Sequence, residues 1–485
     1  MAGTVWLWDG KACRLCAGRP DAGAESAGPA EGDAVIVAGE AAAWPGSRGA
    51  RGFGALCLNA DAAEFAAWDR NETERRLRRA GAAVLAPGQQ ALRSYEVSLF
   101  QLQPLAVEKL QLKPRAHAQP QPKGRALRAN VGSNGEPVMK RVQTMSDRDA
   151  RYRPFARLAV RALYACGLDN GIVELADDGD GKCYVAGIRL PSAAAYRTGI
   201  WREAADALAA RLQADARDRN SGEAPAILLG ADPEFLLLAE NGRVVSAARY
   251  LEGGHGAGCD AIVVGGAVVH PIAELRPAPS PTPDGLARNI RRLLQEAARR
   301  IPDQPPLRWA AGGMPAVGFA LGGHVHLSGV PLTGRLLRQL DSYVAFPLAM
   351  IESPSERIRR PRYGALGDFR LQPHGGFEYR TLPSWLASPL AAKAAFALAL
   401  LCARESGSLS YLPSSEDEYL AAYYEGDRPT LTRCLEGLAA SMANTASYPE
   451  LSRWIEPLLQ AIRDGRTWDA AGDFRAKWRI SPRQA

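Results

Sequence analysis

Two acidic residues interrupt an apolar segment early in the second half of the chain. Asp232 and Glu234 lie inside Ala226-Ile-Leu-Leu-Gly-Ala-Asp-Pro-Glu-Phe-Leu-Leu-Leu238, and residues two apart on an extended strand point to the same face. Adjacent carboxylates repel and raise each other's pKa, and a divalent cation removes that penalty. The apolar flanks favour a buried strand with a cation; an exposed edge strand is the alternative.

Two of the chain's six histidines follow a Gly-Gly pair and share a face by the same period of two. His324 and His326 lie in Gly322-Gly-His-Val-His-Leu-Ser-Gly329. A single strand histidine is usually a hydrogen-bonded core residue, whereas two on one face, downstream of acidic strands, favour a cation ligand or a phosphate contact. The two glycines remove side chains where another backbone or a nucleotide comes close.

An acid and an arginine two residues apart occur twice more at the ends of apolar segments. The pairs are Glu274 with Arg276, and Glu378 with Arg380. A plain salt bridge would explain either pair alone. Within the whole pattern, however, each carboxylate is also a candidate ligand for a cation.

Further arginines precede the last acidic segment. Residues 357–362 contain four arginines, of which Arg362 is the last, and Arg370 follows in a glycine-rich stretch. A solvated loop is one interpretation of this cluster, and a bidentate clamp on a polyphosphate or carboxylate is the other. Acid, acid, histidine and acid on four strands, with arginines around them, predict an ATP-cleaving site with two or three Mg²⁺ ions.

The motifs around these residues resemble, in order along the chain, the phage phiEco32-like COOH-NH2 ligase-type 2 family, whose superfamily includes glutamine synthetase and glutamate–cysteine ligase. The matching segments are Gly230-Ala-Asp-Pro-Glu-Phe235, Ala273-Glu-Leu-Arg-Pro-Ala-Pro279, Gly322-Gly-His-Val-His-Leu-Ser-Gly329, Arg362-Tyr-Gly-Ala-Leu-Gly-Asp-Phe-Arg370 and Gly376-Phe-Glu-Tyr-Arg-Thr-Leu-Pro-Ser-Trp385. The resemblance implies an α+β catalytic domain in which a curved antiparallel sheet with flanking helices carries the metals.

The resemblance also assigns roles to the candidate residues. The metal ligands would be Asp232, Glu234, Glu274, His324 and Glu378; the nucleotide contacts would be His324, His326, Arg276 and Arg380; the catalytic arginines would be Arg362, Arg370 and Arg380. Asp232 stands where the better-known relatives have a longer Glu. The implied reaction is ATP-dependent amide formation through an acyl phosphate, on a small-molecule or peptide substrate with a carboxylate and an amine, whose identities the sequence does not supply.

The first half of the chain resembles an ATP-grasp ligase of the YheC/YheD type found in spore-coat-associated proteins. The likeness depends on Ser94-Tyr-Glu-Val-Ser-Leu-Phe100, on residues 127–135 and on residues 158–169. Residues 185–190 lack the Glu and Asn with which that family ends its last metal-binding strand. We therefore expect an α/β region, partial or degenerate, without chemistry of its own.

Length and composition set the remaining expectations. The predicted domains are an N-terminal α/β region (1–88), the ATP-grasp-like region (89–220), the ligase domain (226–405) and a helical region (406–485) that covers the sheet. A net charge of +7 on 485 residues does not argue for nucleic acid, although residues 109–157 are basic.

Scattered cysteines and the absence of a secretory pattern predict a cytoplasmic protein without a membrane segment. Cys13 and Cys16 are interpreted as ordinary thiols, with zinc or redox use as the alternative.

A second functional class stays open at this point. In a non-catalytic binding or coat-associated protein, both ligase-like halves would be relics. The altered strand at 185–190 favours that interpretation for the first half, and the complete set of acidic and histidine positions after residue 230 opposes it for the second.

Overall fold

The structure is a computed structural model that describes ten stretches of the chain. They are residues 3–18, 28–39, 43–47, 54–89, 91–112, 139–179, 181–222, 226–264, 266–373 and 375–480. These residues form two compact units, Met1–Ser221 and Gly222–Ala485. Both units combine helices with β-sheet, and antiparallel pairing predominates, which confirms the predicted α+β class.

The first unit contains one mixed and one antiparallel sheet. The strands and helices are β1 (Val5–Trp8), β2 (Cys13–Ala17), β3 (Ala34–Val37), β4 (Leu56–Leu58), α1 (Ala62–Ala67), α2 (Arg70–Arg79), β5 (Arg93–Phe100), β6 (Gln103–Leu112), β7 (Met139–Thr144), α3 (Tyr152–Ala165), β8 (Gly171–Asp177), β9 (Cys183–Arg189) and α4 (Gly199–Ser221). The sheet orders are β2-β1-β3-β4 and β7-β6-β5-β8-β9. β8 and β9 form an antiparallel pair in the second of these sheets.

Two sequence interpretations concern this unit. The basic residues 113–138, which include the ATP-grasp-like motif at 127–135, lie outside the described residues. The Cys13 and Cys16 thiols are both free, and burial raises the pKa of Cys16 to about 11. A thiol that stays protonated at neutral pH is a poor metal ligand or redox nucleophile, which favours the interpretation as ordinary thiols.

The second unit contains two antiparallel sheets. Its strands are β10 (Leu228–Ala231), β11 (Glu234–Leu238), β12 (Val244–Val245), β13 (Gly256–Val264), β14 (Ala267–Arg276), β15 (Arg308–Ala310), β16 (Val325–Ser328), β17 (Phe369–Leu371) and β18 (Phe377–Tyr379). One sheet has the order β10-β16-β18-β17, and the other has the order β12-β11-β14-β13 with β15 paired to β11. The candidate residues are therefore divided between two sheets where the family resemblance implies a single curved one.

Helices cover these sheets. They are α5 (Pro283–Arg300), α6 (Gly334–Leu340), α7 (Phe346–Ile351), α8 (Pro389–Arg404), α9 (Asp417–Glu425), α10 (Arg428–Thr432), α11 (Leu435–Ala443) and α12 (Tyr448–Arg463), with a π-helical turn at Asp341–Ala345. Thr282 caps α5 by accepting a hydrogen bond from Gly285 N, and Leu286 and Ile290 on the apolar face of the helix are buried. Helix α8 is almost wholly buried. None of the helices in the described stretches combines the length and apolar character that a bilayer crossing requires.

The C-terminal residues pack onto the back of the strands that carry the candidate site. Phe474 contacts the rings of Phe235 and Trp309, with centroids 5.6 and 6.2 Å away. The indole of Trp478 donates to Leu386 O, 2.8 Å away, and the indole of Trp468 donates to buried Glu356. Both tryptophans are buried and belong to the packing of this region.

Candidate metal centre and active site

The acidic pair lies where one chain segment passes from the first sheet to the second. β10 ends at Ala231, β11 begins at Glu234, and Asp232-Pro233 forms the link. Pro233 has no N–H to donate to a ladder, and a strand break is a position that proline tolerates. The break leaves Asp232 with the strands of one sheet and Glu234 with those of the other.

Asp232, His324 and Glu378 converge on one point. Nδ1 of His324 lies 3.0 Å from Oδ1 of Asp232 and 3.1 Å from Oε1 of Glu378. These three atoms are buried, and none has a hydrogen-bond partner. One ligand atom from each residue lies within 4.8 Å of the others, so the group could hold a metal ion. Buried polar atoms are almost always paired, and three orphaned atoms facing each other therefore indicate a missing partner of positive charge.

Charges within this triad compensate in the absence of a cation. Burial opposes ionisation of Asp232, but His324 and His326 outweigh it and hold the pKa of Asp232 far below its usual range. Burial likewise opposes protonation of His324, yet Asp232 and Glu378 raise the pKa of its imidazole to about 10. A proton on Nδ1 thus supplies the positive charge that a bound cation would replace.

Glu234 and Glu274 form a second acidic pair, in the other sheet. They are direct cross-strand partners on β11 and β14, and they continue the apolar row of Leu236 and Ile272. Because of this burial the pKa of Glu234 rises to about 7 and that of Glu274 to about 8. Gly322 N donates to Oε2 of Glu234 at 2.5 Å, which joins this pair to the segment that leads to His324.

Asp260 belongs to the same face, although the sequence interpretation missed it. On β13, Gly258 is the partner of Glu274, so Asp260 two residues on points to the same side of the sheet. Its charge raises the pKa of both Glu234 and Glu274. Strand alternation alone would not have found it, because an uninterrupted hairpin would place Asp260 opposite Pro271, on the other face from Glu274. A register shift between Asp260 and Ile262 pairs Asp260 with Ile272 instead and brings it to the face of Glu274.

The side chains of Arg370, Gln372 and Arg380 lie around the buried carboxylate of Glu378. Arg370, its partner on β17, donates through Nε at 2.7 Å to Oε2, and Gln372 donates to the same oxygen at 2.8 Å. Arg380 Nε lies 3.5 Å from Oε1. The Arg370 side chain is 57% exposed, so its guanidinium can reach both the cluster and an incoming anion.

His326 and Arg276 each contact one candidate ligand. His326 is the cross-strand partner of Glu378, and its Nε2 lies 3.3 Å from Oδ2 of Asp232. Arg276 makes an ion pair with Glu274 and donates to Gly254 O at 2.8 Å. The second contact fastens the glycine-rich loop at 252–256 beside the acidic pair.

The arginines at 357–362 have a largely structural role, so neither sequence interpretation holds for the whole cluster. Arg359 and Arg360 are buried against Glu352, and they donate to Thr381 O and Tyr423 O. Arg362 is exposed and stacks 5.5 Å from the Tyr363 ring. Within the described residues, no hydrogen bond or ion pair joins Arg362 to the ligand cluster.

The Gly-Gly pair before His324 makes room for the chain itself. A Cβ on Gly323 would overlap Pro383 O and lie 2.7 Å from Nε1 of Trp385, and one on Gly322 would overlap the His324 ring. The prediction of a close backbone approach is confirmed. The approaching groups come from residues 383–385.

The profile of one protein family matches the sequence over residues 229–480. Its description is phage phiEco32-like COOH.NH2 ligase-type 2. The matched range contains every candidate residue and extends through the C-terminal helices to Ile480. No curated protein matches the sequence.

Several solved structures are similar to part of the chain. A bifunctional glutathione synthetase from Pasteurella multocida is 11% identical, with a TM-score of 0.32 over 53% of this chain and 51% of that one. PafA, in its complex with the prokaryotic ubiquitin-like protein Pup, is 12% identical, with a TM-score of 0.36 over 52% and 66%. GmaS without ligand is 15% identical, with a TM-score of 0.29 over 52% and 72%. The chain thus spans about half the length of the glutathione synthetase.

Proposed function

Because the chain belongs to the phage phiEco32-like COOH-NH2 ligase-type 2 family, a family of carbon–nitrogen ligases, we propose that it joins a carboxylate to an amine at the expense of ATP. The single observation that carries the proposal is the convergence of Asp232, His324 and Glu378 on one point with three orphaned atoms. Such a group, open on one side to arginines, is suited to binding a cation together with phosphate oxygens.

The donor atoms fit Mg²⁺ at two positions. Asp232, His324 and Glu378 would hold one ion through two oxygens and a nitrogen. Glu234 and Glu274, with Asp260 beside them, would hold a second through oxygens alone. In the triad, Mg²⁺ would take the place of the proton on His324. At the Glu234–Glu274 pair it would favour ionisation of both carboxyls, and both ions would offset the charge of the triphosphate.

Arg370 and Arg380 would contact the transferred phosphoryl group. Both guanidinium groups lie beside Glu378 and are partly exposed, at 57% and 32% of their side chains. Arginine forks match phosphate oxygens in geometry and charge, so they can stabilise the charge that develops on the γ-phosphate during transfer. Arg276 is in a comparable position beside Glu274 and could bind a substrate carboxylate or a phosphate.

The proposed chemistry has two steps. A carboxylate oxygen of the acid substrate forms a bond to the γ-phosphorus while the bond to the β,γ-bridging oxygen breaks, which gives an acyl phosphate and ADP. The amine nitrogen then attacks the acyl carbon, the proton is lost from nitrogen, and inorganic phosphate leaves with the electron pair of its C–O bond. The residues of the cluster contribute by orientation and charge in the first step.

ADP release from the purified protein tests this proposal. A matrix of carboxylic acids and amines, supplied with ATP and Mg²⁺, should contain a combination in which ADP forms only when acid and amine are both present. D232N and E378Q should abolish that release, and E296Q, which changes a half-buried glutamate paired with Arg300 on α5, should not. Nucleotide binding without turnover for every pair would instead support a non-catalytic binding protein.

A further inference from the structure

The short segment Pro383-Ser384-Trp385 lies between the two sheets that carry the candidate ligands. It follows β18 closely, so it is connected through a few residues to Glu378. Ser384 and Trp385 are both fully buried. Buried polar side chains are retained only where they are hydrogen-bonded, so the partners of these two side chains indicate what the segment does.

The Ser384 side chain forms a hydrogen bond to β11, in the sheet that carries Glu234 and Glu274. Its hydroxyl donates to the main-chain oxygen of Glu234, 2.5 Å away. The same Glu234 residue donates its N–H to Gly322 O at 3.0 Å, and its carboxylate accepts from Gly322 N. Backbone and side chain of Glu234 are therefore fixed by groups from outside its own sheet.

The Trp385 side chain forms a hydrogen bond to the segment that leads into β16, in the sheet that also carries Glu378. Its indole N–H donates to Gly323 O, 2.7 Å away, directly before His324. An isolated bridge pairs Gly322 with Pro383. A side chain at residue 323 would overlap Pro383 O, so the approach requires glycine.

We propose that Ser384 and Trp385 are positioning residues that keep the Glu234–Glu274 pair in register with the Asp232–His324–Glu378 triad and thereby set the protein's affinity for divalent cations. The inference rests on the proposed function, because it takes these carboxylates and the imidazole to be cation ligands. Both side chains bond to main-chain carbonyls of ligand-bearing segments, so they fix where the ligands lie and take no part in the chemistry.

If Trp385 had only a structural role, loss of its N–H alone would leave the Mn²⁺ affinity unchanged. The Trp385 ring also packs on Phe396, with centroids 4.8 Å apart at 87°, and that contact contributes to the core in any case. W385F keeps an aromatic ring there and removes the N–H. Trp309 provides the matched control, because it is equally buried and its Nε1 atom has no hydrogen-bond partner.

The serine has a matched control as well. Ser98 is buried in the first unit, and its hydroxyl has no hydrogen-bond partner. S98A therefore removes a buried hydroxyl without removing a bond, whereas S384A removes the bond to Glu234 O. Comparison within each pair separates the loss of positioning from the loss of buried volume.

Mn²⁺ titration followed by electron paramagnetic resonance, with urea unfolding of the same samples, tests the inference. We expect Mn²⁺ affinity to fall at least fivefold in W385F and in S384A, and to stay within twofold of wild type in W309F and S98A. Unchanged Mn²⁺ affinity in both W385F and S384A, whatever happens to stability, would overturn it. Failure of the wild-type protein to bind Mn²⁺ would contradict the proposed function itself. The titration of the wild-type protein alone reveals that outcome, so the two failures are distinguishable.

Discussion

Nδ1 of His324 faces Oδ1 of Asp232 at 3.0 Å, and neither buried atom makes a well-aligned hydrogen bond. Leaving a buried polar group unpaired costs about 1–3 kcal/mol, so a fold does not accumulate such atoms at one point without a compensating partner. A cation bound between them would satisfy both atoms and Oε1 of Glu378 at once. This relationship is the basis of the predictions that follow.

Removal of one triad ligand should weaken cation binding strongly. D232N and E378Q each replace a carboxylate by an amide of the same shape, and loss of a charged ligand should lower Mn²⁺ affinity by at least tenfold, about 1.4 kcal/mol. Isothermal titration with Mn²⁺ measures the effect, with E296Q, which changes the half-buried partner of Arg300 on α5, as the control. Equal affinities for D232N and E296Q would contradict the assignment.

Cation binding should strengthen as pH rises. The pKa of Glu234 is about 7, that of Glu274 about 8 and that of His324 about 10, and each proton must leave before its group binds a cation. The apparent affinity should therefore rise up to about tenfold per pH unit for each proton released. Titrations at pH 6, 7 and 8 measure this slope, and an affinity independent of pH would contradict it.

The cation-free protein should show the opposite trend in stability. All three groups have folded pKa values above their ordinary values of 4.5 for Glu and 6.5 for His. The stability that they contribute is complete below the ordinary values and is lost as pH rises from there through the folded values of about 7, 8 and 10. Asp232 and Glu378 have lowered pKa values and are already ionised above pH 5, so they do not change this slope. Thermal unfolding in EDTA should give a Tm that falls between pH 6 and 9, and excess Mg²⁺ should offset the fall most at pH 9.

Arg370 should act mainly on the nucleotide. R370Q removes a guanidinium that is 57% exposed but donates to the fully buried Glu378 carboxylate, which keeps Gln372 as a partner. We therefore expect the free energy of unfolding to fall by no more than about 1–3 kcal/mol. Loss of one phosphate contact should raise the KM for ATP or lower kcat by at least tenfold. R433Q, which removes an exposed pair with Glu418, is the matched control, and similar kinetics for the two variants would count against this role.

Residue 323 should tolerate no side chain. G323A would place a methyl group against Pro383 O and Trp385 Nε1, and overpacking of a rigid site costs about 1–3 kcal/mol. The displaced backbone would also move His324. G407A, at a position with open space around the added Cβ, should leave the urea midpoint and Mn²⁺ affinity unchanged, and an equally benign G323A would refute the close approach.

Much of the site could be predicted because strand alternation is a local rule. The shared face of the two histidines and the pairing of Glu378 with arginine follow from a period of two and from residue type. The expectation of one strand for Asp232 and Glu234 is wrong, because the strand breaks between them. A second local rule, the helical period of 3.6, predicts which helix residues face inward, such as Leu286 and Ile290 on α5.

The remainder depends on contacts between distant segments. Nothing in the sequence near Asp232 reveals that the chain changes sheets there, because that outcome depends on which strands pair with β10 and with β11. Arg359 and Arg360 read as a basic loop, yet distant carbonyls of Thr381 and Tyr423 and the Glu352 carboxylate hold them in the interior. Ser384 and Trp385 look like ordinary core residues until their partners are known.

Anomalous diffraction from crystals grown with Mn²⁺ tests the central claim most directly. Ligation by Oδ1 of Asp232, Nδ1 of His324 and Oε1 of Glu378 predicts a peak about 2.1–2.4 Å from all three atoms, which D232N should abolish. A Mn²⁺ peak elsewhere in the molecule, with these three atoms left unliganded at saturating Mn²⁺, would contradict the account.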